Sequence, residues 1–98
     1  MSVNPRFDEV IHARNRLQIC ALLAEVESAD FTTLQEALGV SDYVVSKHLK
    51  VLVEAGYVNT RKERNQGRAR TWLTLTQPGR TALDGHLAEL RRIIGLER

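Results

Sequence analysis

Residues 31–58 read FTTLQEALGVSDYVVSKHLKVLVEAGYV, and this stretch decides the fold. Thr32 is placed to cap a helix, with Gln35 three residues on to complete a capping box. The helix so opened is short, because Gly39 follows as a residue that tolerates the left-handed backbone at a helix end. Ser41 can cap again, and a second helix runs from Asp42 until Gly56 stops it. In that second helix Val45, Leu49 and Leu52 recur at i, i+4 and i+7, which defines one buried face. At 100° per residue, Tyr43, Ser46, Lys47 and Lys50 lie about 100° to 200° from Val45, on the opposite side. That face carries two lysines, and after Asp42 no acid interrupts it before Glu54.

Two helices joined by the tight turn LGVS are the punctuation of a helix-turn-helix. Upstream, residues 7–27 read as helix, with Val10, Ile11, Leu17, Ile19, Leu22, Leu23 and Val26 at three- and four-residue spacing. The polar ARNR at residues 13–16 is a natural place for this helix to divide, and residues 28–30 read as a short connection. Downstream, YVNTRKER and ARTWLTL are β-compatible segments around an Asn-Gln-Gly loop, hence a hairpin. Gly67 is expected to supply the positive φ of its turn. Alternation puts Leu73 and Leu75 on one face and Trp72 on the other, where it could pack on a helix. Thr76 caps a last helix with Pro78 in its first turn, and Leu83, Leu87, Leu90 and Ile94 form a stripe that Ile93 widens. The expected domain is a single α+β unit over residues 1–98: N-terminal helices at 7–27, helix-turn-helix at 32–56, hairpin at 57–75 and C-terminal helix at 76–96.

The net charge of +2 hides a strong asymmetry. Residues 1–40 hold three Arg against six acids, whereas residues 57–80 hold five Arg and one Lys against the single acid Glu63. Excess positive charge is therefore concentrated in and next to the hairpin stretch RKERNQGRART, residues 61–71, which points to a local anionic partner.

Other function classes find little support. No apolar run reaches the roughly 18 residues that span a bilayer, and MSVNPRFDEV lacks the apolar core of a secretory signal, so a cytoplasmic protein is expected. His12, His48 and His86 fall on three separate helices without a Ser/His/Asp constellation, and the glycines at 39, 56, 67 and 79 read as turn and cap residues, not a phosphate loop. Neither an enzyme nor a cofactor site is expected. Cys20 is the single cysteine and lies in the apolar run ICALLAEV, which favours core packing and leaves no thiolate metal site.

The segment from Phe31 to Val58, with its core V-S-x-H-L-K-x-L and the AGY directly after it, resembles the helix-turn-helix of winged-helix transcription regulators of the broad MarR/ArsR group. The likeness extends through RTWLTLTQPGR and covers roughly residues 10–92. It implies a winged helix-turn-helix with a three-helix core, a two-stranded wing and a C-terminal dimerisation helix. It also implies duplex DNA as partner, with residues 42–54 as the recognition helix in the major groove. Asp42, Tyr43, Val44, Ser46 and Lys47 would then face DNA together with Lys50, Ser41 and Thr32 would sit at helix starts beside the backbone, and Arg64, Arg68 and Arg70 would clamp backbone or minor groove. The resemblance further implies a homodimer on a near-palindromic operator, with Leu83, Leu87, Leu90, Ile93 and Ile94 at the interface beside Phe7, Val10 and Ile11. Two alternatives stay open: a winged helix used for protein assembly, and a switch with a small-molecule effector between the dimer helices and the DNA-reading part. A metal effector, which in that group uses paired cysteines or His/Asp clusters, has no such residues here.

Overall fold

The computed structural model describes residues 3–96. The N-terminal helical stretch divides where the polar residues suggested: α1 is Glu9–His12 and α2 is Arg14–Ala24, with Ala13 between them in an extended conformation. Asp8 caps α1 by accepting from the Ile11 N–H. Arg16 then ties the break, its Nε donating to the Val10 carbonyl at 2.6 Å.

The next element corrects the sequence reading. Residues 29 and 30 are not a plain connection but a two-residue strand, β1 (Ala29–Asp30), paired antiparallel with the hairpin. Their extended backbone delivers Asp30, not Thr32, to the cap of α3 (Phe31–Leu38), where its carboxylate accepts from the Thr33 N–H at 2.9 Å. Gln35 consequently closes no capping box; its Nε2 donates across the turn to the Val40 carbonyl at 3.2 Å. Gly39 ends α3 at φ 69°, the left-handed conformation expected of it. Ser41 caps α4 (Asp42–Glu54) through the Val44 N–H.

The hairpin comprises β2 (Val58–Asn65) and β3 (Arg68–Leu75). The sheet has three strands in the order β1-β3-β2, one more than the two-stranded wing expected. Asn65 pairs with Arg68, so the loop is two residues, Gln66 and Gly67, both at positive φ (54° and 79°), which matches the right-handed twist of the flanking strands. Only the base of the hairpin is buried: Val58, Leu73 and Leu75 enter the core, whereas every residue from Asn59 to Arg70 is exposed.

Helix α5 (Gln77–Ile93) starts at Thr76, whose hydroxyl accepts from the Gly79 N–H. Gly79 is not a turn residue, contrary to expectation. It is buried in the first turn of α5, and a side-chain carbon there would press on the Tyr57 carbonyl and stand 2.8 Å from Leu75 Cδ1. Absence of a side chain lets the helix lie directly on the chain where α4 hands over to β2.

One core joins all these elements: Ile11, Ile19, Cys20, Leu23, Leu34, Val45, Leu49, Leu52, Val58, Leu73, Leu75 and Leu83. Ile11 and Leu83, expected at a dimer interface, are 0% and 2% exposed within the chain itself, because the short α1 folds back against α2 and α5. Cys20 is buried among them, and burial pushes its thiol up to about 12, which makes it an inert packing group. Among the described residues no helix is long and apolar enough to cross a membrane.

Candidate nucleic-acid interface

Helix α4 owes its orientation to its apolar face. Val45, Leu49 and Leu52 are buried, each worth about 1.5–3 kcal/mol against exposure. With that side anchored, the opposite side must face solvent. Tyr43 is 76% exposed, and Asp42, Ser46, Lys47 and Lys50 are exposed with it. Val44 is half-buried and presents only part of its side chain. Asp42 sits in the first turn, where a carboxylate meets the positive end of the helix dipole. His48 lies on the flank, half-buried, with Nδ1 3.2 Å from Arg16 Nη1. Burial, and then the neighbouring Arg16 and Lys47, hold it below its ordinary pKa, so it is a neutral packing residue that links α2 to α4.

Thr32, freed from capping, is exposed at the second position of α3. A groove separates this first turn from the wing, lined by Asp30, Phe31, Thr32 and Thr33 on one side and by Arg68 to Thr71 on the other. The wing thus runs beside the start of the helix-turn-helix, not away from it.

Strand alternation splits the wing cations between two faces. Lys62 and Arg64 share the face that continues Val58 and Leu73, by their pairing with Thr71 and Ala69. Arg61, Glu63, Arg68, Arg70 and Trp72 share the other. On that second face Glu63 accepts from Trp72 Nε1 at 3.1 Å and from Arg61 Nη1 at 3.2 Å, and these bonds hold its carboxyl below the usual range. The Arg70 guanidinium lies 5.7 Å from the Trp72 ring centroid, and its Nε is 3.5 Å from Asp30 Oδ2. Trp72 therefore meets charged neighbours within the sheet. Arg64 and Arg68 are exposed and make no ion pair among the described residues. Arg61 and Lys62 belong to the basic stretch but were not among the residues expected to touch DNA; both are exposed cations of the wing. Arg80, counted with the basic segment, belongs elsewhere: it donates to the Ala24 carbonyl at the end of α2.

At the far side, Leu87 and Leu90 are half-buried, and Ile93 and Ile94 are 58% and 65% exposed. Phe7 and Val10, from the N-terminal segment, retain partial exposure. The Phe7 ring covers His12 and His86, each at 4.7 Å between centroids. His86 is fully buried; its Nδ1 accepts from the Asp8 N–H at 3.0 Å, which leaves the proton of the neutral ring on Nε2, 3.1 Å from His12 Nδ1. Burial and His12 hold His86 below its ordinary pKa. Asp8 completes the set by accepting from the Tyr57 hydroxyl at 2.6 Å, and that bond, with burial, pushes Tyr57 up to about 12. Two of the three histidines thus meet, but the carboxylate of Asp8 points to a backbone amide and a phenol, not to an imidazole, so no nucleophile is activated here. Among the described residues no group of three or more His, Cys, Asp or Glu is arranged to hold a metal ion.

Comparison with known proteins agrees with this geometry. A winged helix DNA-binding domain family matches residues 15–94. An uncharacterized protein of Methanocaldococcus jannaschii is 36% identical over 78 residues, covering 80% of this chain and 85% of that one. The structure of a transcriptional regulator homologue from Pyrococcus horikoshii superimposes with a TM-score of 0.84 at 27% identity, over 93% of this chain and 91% of that one. HlyU from Vibrio cholerae superimposes with a TM-score of 0.67 at 27% identity, over 87% and 84%.

Proposed function

The chain belongs to the winged helix DNA-binding domain family, a family of transcription regulators and not of enzymes, and from that premise we propose that it binds duplex DNA with sequence preference as a homodimer. The observation that carries this reading is the solvent face of α4, which holds Tyr43, Ser46, Lys47 and Lys50 beside a hairpin whose eleven residues 61–71 bear five cations and one acid. The major groove of B-DNA, about 12 Å wide, admits one helix. Ser46 and Lys47 read base edges, Lys47 through guanine acceptors; Tyr43 contacts a thymine methyl or stacks; Lys50 meets phosphate. Asp42 orients a lysine or accepts from cytosine, and the exposed Val44 edge adds apolar contact. Ser41 and Thr32, at helix starts, approach the backbone. The wing reaches backbone or minor groove through its arginines.

Dimerisation uses the half-exposed end of α5, with Leu87, Leu90, Ile93 and Ile94 central and Phe7 and Val10 beside them. A two-fold pair presents its recognition helices about one DNA turn apart, so the operator is near-palindromic. The target places the protein in the cytoplasm with the DNA.

Selection of bound sequences from a random duplex pool at two salt concentrations tests the whole reading. An enriched palindrome is expected. Salt-sensitive binding without enrichment removes the sequence preference, and no binding favours a protein-assembly module, for which the exposed Tyr43 is the surface support.

A second reading, a ligand-responsive regulator, rests on one cavity. About 580 Å³ lies between the N-terminal segment, Tyr57 and α5, lined by Asn4, Arg6, Asp8, Gln77, Pro78, Thr81, Ala82 and Gly85 as well. Its volume suits a small organic molecule.

A further inference from the structure

We propose that Asp30, Glu63, Arg70 and Trp72 are positioning residues that set the pose of the wing against the helix-turn-helix, leaving Arg64 and Arg68 as the wing groups that meet DNA. The proposal rests on the DNA-binding reading above and deepens it.

Beyond Trp72, the last residue of β3 to pair with β1, the hairpin leaves the core and is only two strands wide, an arrangement that is marginal in water by itself. From the pair Arg61–Trp72 to the pair Asn65–Arg68 is four residues, or about 14 Å at strand rise. A 10° error in hairpin direction then displaces the tip by about 2.4 Å, enough to break a hydrogen bond. Something must hold this lever, and the contacts on its second face run in that direction. Glu63 on β2 binds Trp72 on β3; Trp72 carries the Arg70 guanidinium on its ring; Arg70 reaches Asp30 on β1. Asp30 is the end of the chain of contacts and the start of another. One of its oxygens caps α3 through Thr33 at 2.9 Å while the other faces Arg70 at 3.5 Å, so a single carboxylate touches both the helix-turn-helix and the wing.

The acids are the telling members. In a surface that meets phosphate, Glu63 and Asp30 are repulsive, and plain electrostatics says that removing either tightens DNA binding. A positioning role says the reverse. Arg70, already committed to Asp30 and Trp72, is not available as a clamp in the manner of Arg64 and Arg68.

The test measures affinity for the selected operator, and the salt slope, for the wild type, Glu63→Ala, Asp30→Asn and Trp72→Phe. Asp30→Asn keeps a good helix cap while removing the charge that faces Arg70, and Trp72→Phe keeps a ring while removing the indole N–H. Each variant is expected to bind roughly fivefold more weakly with an unchanged salt slope, a size set by the upper range of exposed ion-pair networks. Tighter binding by Glu63→Ala and Asp30→Asn overturns the proposal. A second readout needs no DNA: Trp72 is the single tryptophan, so its fluorescence reports the bracket directly. Acrylamide quenching is expected to rise in Glu63→Ala and Asp30→Asn, with the circular dichroism of the fold retained; unchanged quenching overturns the proposal. If the wild type binds no duplex, the DNA reading fails on its own, and the quenching result still decides whether the bracket orders the wing.

Discussion

Replacing Gly79 by alanine sets two effects of opposite sign against each other. Alanine in a helix is favoured over glycine by up to about 1 kcal/mol, and less at the third residue of α5 than in its middle. From propensity alone Gly79→Ala stabilises. The structure reverses this, because the new methyl group presses on the Tyr57 carbonyl and lies 2.8 Å from Leu75 Cδ1. Leu75 is in the core and the carbonyl is main chain, so neither yields cheaply. The same carbonyl accepts from the Thr76 N–H at 2.9 Å, and Thr76 Oγ1 donates to the Gly56 carbonyl at 2.7 Å. Moving α5 outward therefore strains the joint among α4, β2 and α5. Overpacking of this kind costs about 1–3 kcal/mol, and a weakened hydrogen bond adds about 1 kcal/mol. Net destabilisation of about 2 kcal/mol is expected, which in a chain of this size lowers Tm by roughly 8–16 °C. Thermal unfolding followed by circular dichroism measures it. Gly85→Ala is the milder comparison: its methyl group would stand 3.1 Å from the Asn4 carbonyl, a wider contact than those at Gly79, so its Tm should fall less than that of Gly79→Ala. A Gly79→Ala protein with Tm at or above wild type would refute the close approach of α5 to Tyr57.

Arg64→Ala combined with Arg68→Ala should lower the salt slope of DNA binding by about 2 per protomer, because counterion release gives about 0.9 per phosphate contact, read by fluorescence anisotropy between roughly 50 and 200 mM salt; an unchanged slope removes both residues from the interface. Lys47→Ala should instead broaden the sequence preference, and equal losses on specific and random duplexes would end its base-reading role. Leu52→Ala, on the buried side of α4, should cost about 2–5 kcal/mol in urea unfolding, and a loss under 1 kcal/mol would contradict full burial. His48 and His86 are both held below their ordinary value of 6.5 in the fold, so the unfolded chain binds more protons as pH falls through that value. Their contribution to stability is complete above pH 6.5 and is lost below it. Asp30, Glu63 and Glu89, held below ordinary values of 3.8 to 4.5, lose theirs only in more acid solution. Tm should therefore fall between pH 7.5 and pH 5, and a Tm that rises over this interval would contradict the neutral buried state of His86.

Much of the fold can be read along the chain because it depends on neighbours. Ser41, Gly39 and Thr76 act within three or four residues of themselves, and each does in the structure what its type suggests. The face of α4 and the alternation of Leu73 and Leu75 follow from helix and strand periods, so the exposed row from Tyr43 to Lys50 was legible without coordinates. The basic wing was legible from charge alone.

Tertiary structure decided what depends on residues far apart in sequence. Thr32 and Asp30 are both good caps two residues apart; the choice fell to Asp30 because pairing of Ala29 with Leu73 and Asp30 with Trp72 extends the backbone just before α3. A two-residue strand has no alternation to detect, so β1 left no local mark. Ile11 and Leu83 look like members of surface stripes until α1 folds back, and His12 meets His86 across 74 positions. Gly79 has the local look of a turn residue, and only the main chain lying against it shows why it lacks a side chain. The wing arginines are equivalent by sequence, each a cation on a strand; pairing register and Asp30 make Arg70 different from Arg64 and Arg68. Periodicity and capping are short-range and fixed by residue type, whereas burial and ion pairing belong to whichever surfaces the folded chain brings together.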